Sequence, residues 1–81
     1  MNPTMFEQEI AINRKAYEAL REQIRRDHAG QYIALTHGQV IAATPTYEEA
    51  EAAIERLRPV PECYFIFPAE EEPIFEVIDN F

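Results

Sequence analysis

Serine is absent from the 81-residue chain, glycine occurs twice, cysteine once, and only seven residues are basic. Without serine, no Ser-His-Asp arrangement or nucleophile elbow can be built, and threonine is the remaining aliphatic hydroxyl. Gly30 and Gly38 are too sparse for a phosphate-cradling loop, and neither opens a glycine-rich turn at a helix start. Cys63 has no second cysteine to pair with, so an intrachain disulfide is excluded and a reducing cytoplasm is expected. Against the seven bases stand 15 acids, a formal charge of −8, which repels phosphate backbones and anionic lipid headgroups. Neither nucleic acid nor membrane is therefore expected as a partner. No apolar run approaches the roughly 18 residues that a bilayer span needs, and residues 1–9 carry no basic stretch leading into an apolar one, so no export signal is read.

The composition is that of one small folded domain, with 47% apolar and 27% charged residues. A domain this small buries a modest fraction of its surface, which makes a partner subunit plausible. Charge is unevenly placed. Residues 1–30 hold five bases and five acids, whereas residues 31–81 hold two bases and ten acids.

Thr4-Met5-Phe6-Glu7 has the spacing of a capping box, so a long helix is expected over residues 5–27, with Gly30 as its stop. Phe6, Ile10, Asn13, Tyr17, Leu20 and Ile24 recur at alternating intervals of four and three, a 3.5-residue seam of five apolar positions and one Asn. Such a seam suits a partner helix, and part of a helix about 35 Å long is expected to project beyond a small sheet. Asn13 then either faces solvent or sets register in a dimer or bundle. Glu22 is placed to pair with Arg25 or Arg26.

Tyr32-Ile33-Ala34-Leu35-Thr36 and Val40-Ile41-Ala42-Ala43 are β-prone runs separated by a turn in which Gly38 can supply positive φ, which predicts a hairpin. A second capping box, Thr46-Tyr47-Glu48-Glu49, opens a helix read over residues 47–58, with Tyr47, Ala50, Ile54 and Leu57 on one face and Pro59 and Pro61 after it. Cys63-Tyr64-Phe65-Ile66-Phe67 reads as a strand covered on both faces or central in its sheet, closed by Pro68. Beyond the acidic linker 69–73, Ile74-Phe75-Glu76-Val77-Ile78 is expected to form a fourth strand or a docking tail.

The ordered pattern from Gly30-Gln31-Tyr32-Ile33-Ala34 through Gly38-Gln39-Val40, Thr46-Tyr47-Glu48-Glu49-Ala50 and Phe65-Ile66-Phe67-Pro68 resembles a family of short prokaryotic domains of unknown function. Its members have a Gly-x-Tyr-Val-Ala hairpin with a central Gly-x-Val, an amphipathic helix, and a strand ending in Val-Pro. Ile33 stands here for the usual Val, Phe67 precedes the closing Pro, and Ala43 occupies a position often small or Gly. The resemblance covers residues 30–68. It implies a fold and brings no catalytic residues.

Among chemistry-bearing residues, His28 and His37 with Asp27 match no metal-ligand spacing and read as a helix-end and a turn residue. Cys63 with a histidine base would be a nucleophile only in an electropositive setting, and its apolar neighbours make it an inert core thiol. Glu70-Glu71-Glu72 lacks the pattern of a calcium loop and reads as a solvated linker. No catalytic residue, metal ligand or cofactor is assigned.

These readings converge on an α+β domain: a long N-terminal helix, a β-hairpin, a helix, a strand and an extra C-terminal strand in a small, mostly antiparallel sheet. The ββαβ core spans residues 30–68, and Tyr32, Ile33, Leu35, Val40, Ile41, Ala50, Ile54, Leu57, Phe65 and Phe67 should fill its interior. The expected function is a non-catalytic protein–protein interaction or accessory role, with another protein or a second copy as partner. Docking is expected through the seam of Phe6, Ile10, Asn13, Tyr17, Leu20 and Ile24, through the tail residues Ile74, Phe75, Val77, Ile78 and Phe81, or through both. The alternatives are an acidic inhibitor or antitoxin-like protein masking a basic site, and a small-ligand or metal-dependent enzyme completed between subunits by His28, His37 and acidic residues.

Overall fold

The computed structural model describes residues 5–75, apart from the side chain of Met5. Its elements are α1 (Met5–Asp27), β1 (Tyr32–Thr36), β2 (Gln39–Thr44), α2 (Tyr47–Glu55) and β3 (Phe65–Pro68). The strands form one antiparallel sheet in the order β2-β1-β3. Helices cover both faces, giving an α+β sandwich of α1, sheet and α2.

Side-chain alternation along β1 decides which helix meets which face. Ile33 and Leu35 point to the side where Tyr17 and Ile24 of α1 complete a core with Phe67 and Ala69. Ala34 points the other way and meets Ala50 and Ile54 of α2. The small residues Ala34 and Ala50 let α2 lie close to the strands, while the bulk of Tyr17, Leu20 and Ile24 fills a wider gap under α1. The pairing register shifts between Ala34 and Leu35, where Ala42 and Val40 are the partners and Ile41 is the extra residue of a β-bulge. That bulge lets Ile41 and Ala42, adjacent in sequence, both pack toward α2, while Val40 and Ala43 pack toward α1.

The hairpin turn has two central residues, and both have positive φ: His37 at 52° and Gly38 at 73°. This is the pattern of a type I′ turn, whose twist matches the flanking strands. A Cβ on Gly38 would lie 3.1 Å from Ile12 Cγ2, so glycine is also needed there because α1 crosses close above the turn. Gly30 has φ 82° and follows α1 as expected of a helix stop.

At the start of α2 the Thr46 hydroxyl accepts the N–H of Glu49, so half of the second capping box forms as read. Thr4 of the first lies outside the described residues. α2 ends three residues earlier than expected. Arg56 caps it, the Leu57 N–H bonds back to Ile54 O in a tightened turn, and the residue before a proline is biased away from helix.

Of the two placements expected for the run 63–67, the structure has the first: β3 is an edge strand with packing on both faces, and the central strand is β1, buried over Ile33, Ala34, Leu35 and Thr36. The linker 69–73 carries no strand, as read; of the expected fourth strand only Ile74 and Phe75 are described, outside any strand, and Glu76, Val77 and Ile78 lie outside the described residues. The pairing expected of Glu22 with Arg25 or Arg26 is corrected: among the described residues Arg26 meets Asp27 at 3.2 Å, Arg25 Nε has no hydrogen-bond partner, and the i, i+4 pair that forms on α1 is Arg14 with Glu18 at 3.4 Å.

Candidate interaction surface

The α1 seam is not a free surface. Ile10, Asn13, Tyr17 and Ile24 are buried within the chain, and Leu20 packs half-buried against the same core. Phe6, 46% exposed, is the one member of the seam that reaches the surface. The physical reason is that a 3.5-residue apolar stripe fits a face of the chain's own sheet as well as it fits a partner helix. Asn13, expected in solvent or in a dimer register, is fully buried. Its Oδ1 accepts the Gly38 N–H at 2.8 Å, and its Nδ2 approaches Cys63 Sγ at 3.7 Å. The seam's polar position thus ties α1 to the hairpin turn and to the entry of β3. Thr36 strengthens the same corner, its hydroxyl donating to Cys63 O at 2.7 Å.

Beside that corner a cleft of about 410 Å³ opens between Phe6 and Glu9 of α1, His37 of the turn, and Val60, Pro61 and Cys63 of the loop before β3. His37 Nδ1 lies 3.6 Å from Glu9 Oε2, and His28 instead meets Gln31 Oε1 at 3.1 Å, so the two histidines belong to different contacts. Among the described residues no three His, Cys, Asp or Glu side chains come together as a metal shell. Burial pushes the Cys63 thiol up from its ordinary pKa, the Asn13 hydrogen bond pulls it down, and the Glu9 carboxylate pushes it up again; the net direction is upward. A raised pKa favours the protonated thiol, the form that is neither nucleophile nor metal ligand.

A second concavity, about 400 Å³, runs the length of β3. One wall is residues 64–68, with Tyr47 of α2 above; the other is the returning segment, residues 71–74. That segment is pinned at both ends. Ala69 N–H donates to Gln31 O at 2.9 Å, Glu71 N–H donates to Pro68 O at 2.9 Å, and the Glu70 carboxylate accepts the Gly30 N–H. At its far end the Phe75 ring sits 4.6 Å from Phe65 and 5.7 Å from Tyr17, centre to centre. Tyr47 is held by an edge-to-face contact with Tyr32 at 6.1 Å. Around the groove, Tyr47 (43% exposed), Tyr64 (40%) and Ile74 (74%) present apolar surface to solvent.

The chain matches no family model, no curated protein and no solved structure. The resemblance of residues 30–68 to short prokaryotic domains accordingly rests on those residues alone.

Charge separates across the sheet. α1 carries Arg14, Lys15, Arg21, Arg25 and Arg26 among an equal number of acids. On the opposite face α2 carries Glu48, Glu49, Glu51 and Glu55 with no base; Glu71 and Glu72 line the groove at the sheet edge, and Glu72 also borders a cavity with Arg14 and Glu18 of α1. Of the expected docking residues in the tail, Ile74 is exposed on the groove wall and Phe75 is half-buried as its anchor. Val77, Ile78 and Phe81 lie outside the described residues. The sequence pattern does not mark Tyr47 and Tyr64 as surface residues, because each sits in an apolar pattern. The signal available was the phenol itself, an apolar ring with a polar tip, at a helix start and beside an edge strand.

Proposed function

We propose that this chain is a non-catalytic protein-interaction module that docks through its acidic α2–β3 side, and that its partner is a basic surface of another protein. The observation that carries this reading is the groove: exposed Tyr47, Tyr64 and Ile74 gathered beside Glu71 and Glu72. Aromatic side chains in a shallow concavity supply contact area at low conformational cost, and a rim of one charge sign steers a partner of the other. The charge of −8 favours a basic protein over nucleic acid. With α1 spent on the chain's own core, the groove takes the docking role that the sequence pattern assigns to the seam. The direction of the Cys63 shift supports a non-catalytic role for the cleft.

The test is reconstitution from purified components of the complex with a co-purifying basic protein, comparing the native chain with Tyr64→Glu and with Lys15→Glu on the α1 face. Tyr64→Glu is expected to abolish binding with the circular dichroism unchanged, and Lys15→Glu to leave binding intact. Binding that ignores Tyr64→Glu and is lost in Lys15→Glu would place the interface on α1 and refute the reading.

A further inference from the structure

β3 has one paired edge, toward β1, and one edge, toward the groove, that no described residue pairs with. The direction of its backbone groups follows from one bond. Ala69 N–H points at Gln31 O across the β1 side, and in the antiparallel register Phe67 faces Ile33 and Phe65 faces Leu35. Backbone groups alternate along a strand, so residues 65, 67 and 69 bond inward, and the N–H and C=O of Tyr64 and Ile66 point outward. Pro68, next in that outward set, has no N–H to offer, and its carbonyl is taken by Glu71 N–H. The open edge is therefore short and bounded: two donors and two acceptors at Tyr64 and Ile66, stopped by a proline.

We propose that this edge receives an extended, lysine- or arginine-bearing segment of a partner protein, which adds to the sheet as a fourth strand lying in the groove. The inference rests on the interaction reading above and specifies its geometry. The groove runs beside residues 64–68, a length of roughly 16 Å, which matches about five extended residues. Backbone bonds to Tyr64 and Ile66 supply register, and alternate side chains of the incoming strand lie against Tyr47 and Tyr64. Its cations reach Glu71 and Glu72, the carboxylates on the opposite wall. A second copy of this chain is the weaker occupant, because edge-to-edge pairing would bring two acidic rims together. Short length and a proline are common protections of an edge strand against self-association, and here they leave a hydrogen-bonding site that a charge-matched segment alone is suited to use.

The probe is an acetylated, amidated pentapeptide of alternating lysine and valine, added to the full chain labelled with nitrogen-15; the control replaces lysine with glutamate. The expected result is saturable binding of the lysine peptide, with slowing of amide exchange at Tyr64 and Ile66 by about tenfold or more and smaller change at Phe65 and Phe67. Glu71→Gln and Glu72→Gln together should weaken binding severalfold with the fold intact, and the glutamate peptide should not bind. Lysine-peptide binding that leaves the Tyr64 and Ile66 amides unchanged would overturn strand addition while leaving a basic partner docked through side chains. No binding at about 1 mM peptide would also overturn strand addition, and the reconstitution above would then decide the interaction reading independently. Concentration-dependent protection of Ile66 in the chain alone would make a second copy the occupant and overturn the proposal.

Discussion

Asn13 reaches out of the middle of α1 to accept the backbone N–H of Gly38, at 2.8 Å, at the tip of the hairpin. This bond explains why a polar residue interrupts an otherwise apolar stripe. The turn is half-buried under α1, and leaving a buried donor unpaired costs about 1–3 kcal/mol, with the lower part of that range fitting a part-buried group. Asn13→Leu should therefore destabilise the monomer by an amount of that order in urea unfolding. A register-setting Asn in an oligomer behaves oppositely, because its replacement by Leu strengthens association. Sedimentation alongside the unfolding curve separates the two.

Tyr17 is a second buried residue on the same stripe, and its hydroxyl finds no hydrogen-bond partner among the described residues. Its ring meets Phe67 edge-on at 5.5 Å. Tyr17→Phe keeps the ring and removes an unsatisfied polar atom, so stability should hold or rise. Tyr17→Ala leaves a cavity between α1 and β3 and should cost about 3–5 kcal/mol. A loss above about 1 kcal/mol in Tyr17→Phe would mean that the hydroxyl is bonded in solution.

Gly30 and Gly38 provide a matched pair. Both have positive φ, and a Cβ at Gly30 meets nothing within 4 Å, whereas at Gly38 it meets Ile12 Cγ2 at 3.1 Å. Alanine at Gly30 should cost about 1 to 2 kcal/mol from backbone conformation alone. Gly38→Ala should cost more, and trimming the neighbour in a Gly38→Ala, Ile12→Ala double variant should recover part of the difference. Thermal unfolding of the three proteins is sufficient to read this.

Local signals made much of the fold legible. Thr46 with Glu49 marks the start of α2, Gly38 marks the hairpin, and Gly30 marks the end of α1; each works through a bond or a dihedral within a few residues. What stayed hidden depends on contacts distant in sequence. The seam from Ile10 to Ile24 has the same spacing whether it meets a partner helix or the chain's own sheet, so its destination could not be read from its period. The bulge at Ile41 reverses the alternation of β2, and nothing in an apolar run announces an extra residue. Which strand is central depends on pairing partners: Tyr32–Thr36 reads only as a β-prone hairpin arm, while residues 63–67 read as the covered or central run. The groove was illegible for the same reason, since Tyr47, Tyr64 and Glu72 come together only when α2 and the returning segment close on β3.

Cys63 offers a pH-dependent check on the cleft. Burial, opposed by Asn13 and reinforced by Glu9, raises the folded pKa above that of the unfolded chain. The folded chain thus holds this proton more tightly than the unfolded one, so the stabilisation is fully present below the unfolded thiol pKa. It is lost as pH rises through the folded value. Iodoacetamide at neutral pH should accordingly modify the folded protein far more slowly than the urea-unfolded protein, by a factor of about ten or more. Asn13→Ala removes the one interaction that lowers the pKa and should shift the pH dependence of alkylation upward. Equal rates for the folded and unfolded chain would show an accessible, ionised thiol.

The open edge of β3 is the central claim, and amide exchange in the free chain at low concentration tests it most directly. Phe65 and Phe67, which bond toward β1, should exchange slowly, while Ile66 between them should exchange close to the rate of an unprotected amide. Protection of Ile66 equal to that of Phe67 in the monomer would mean that the edge is already covered, and would contradict the account.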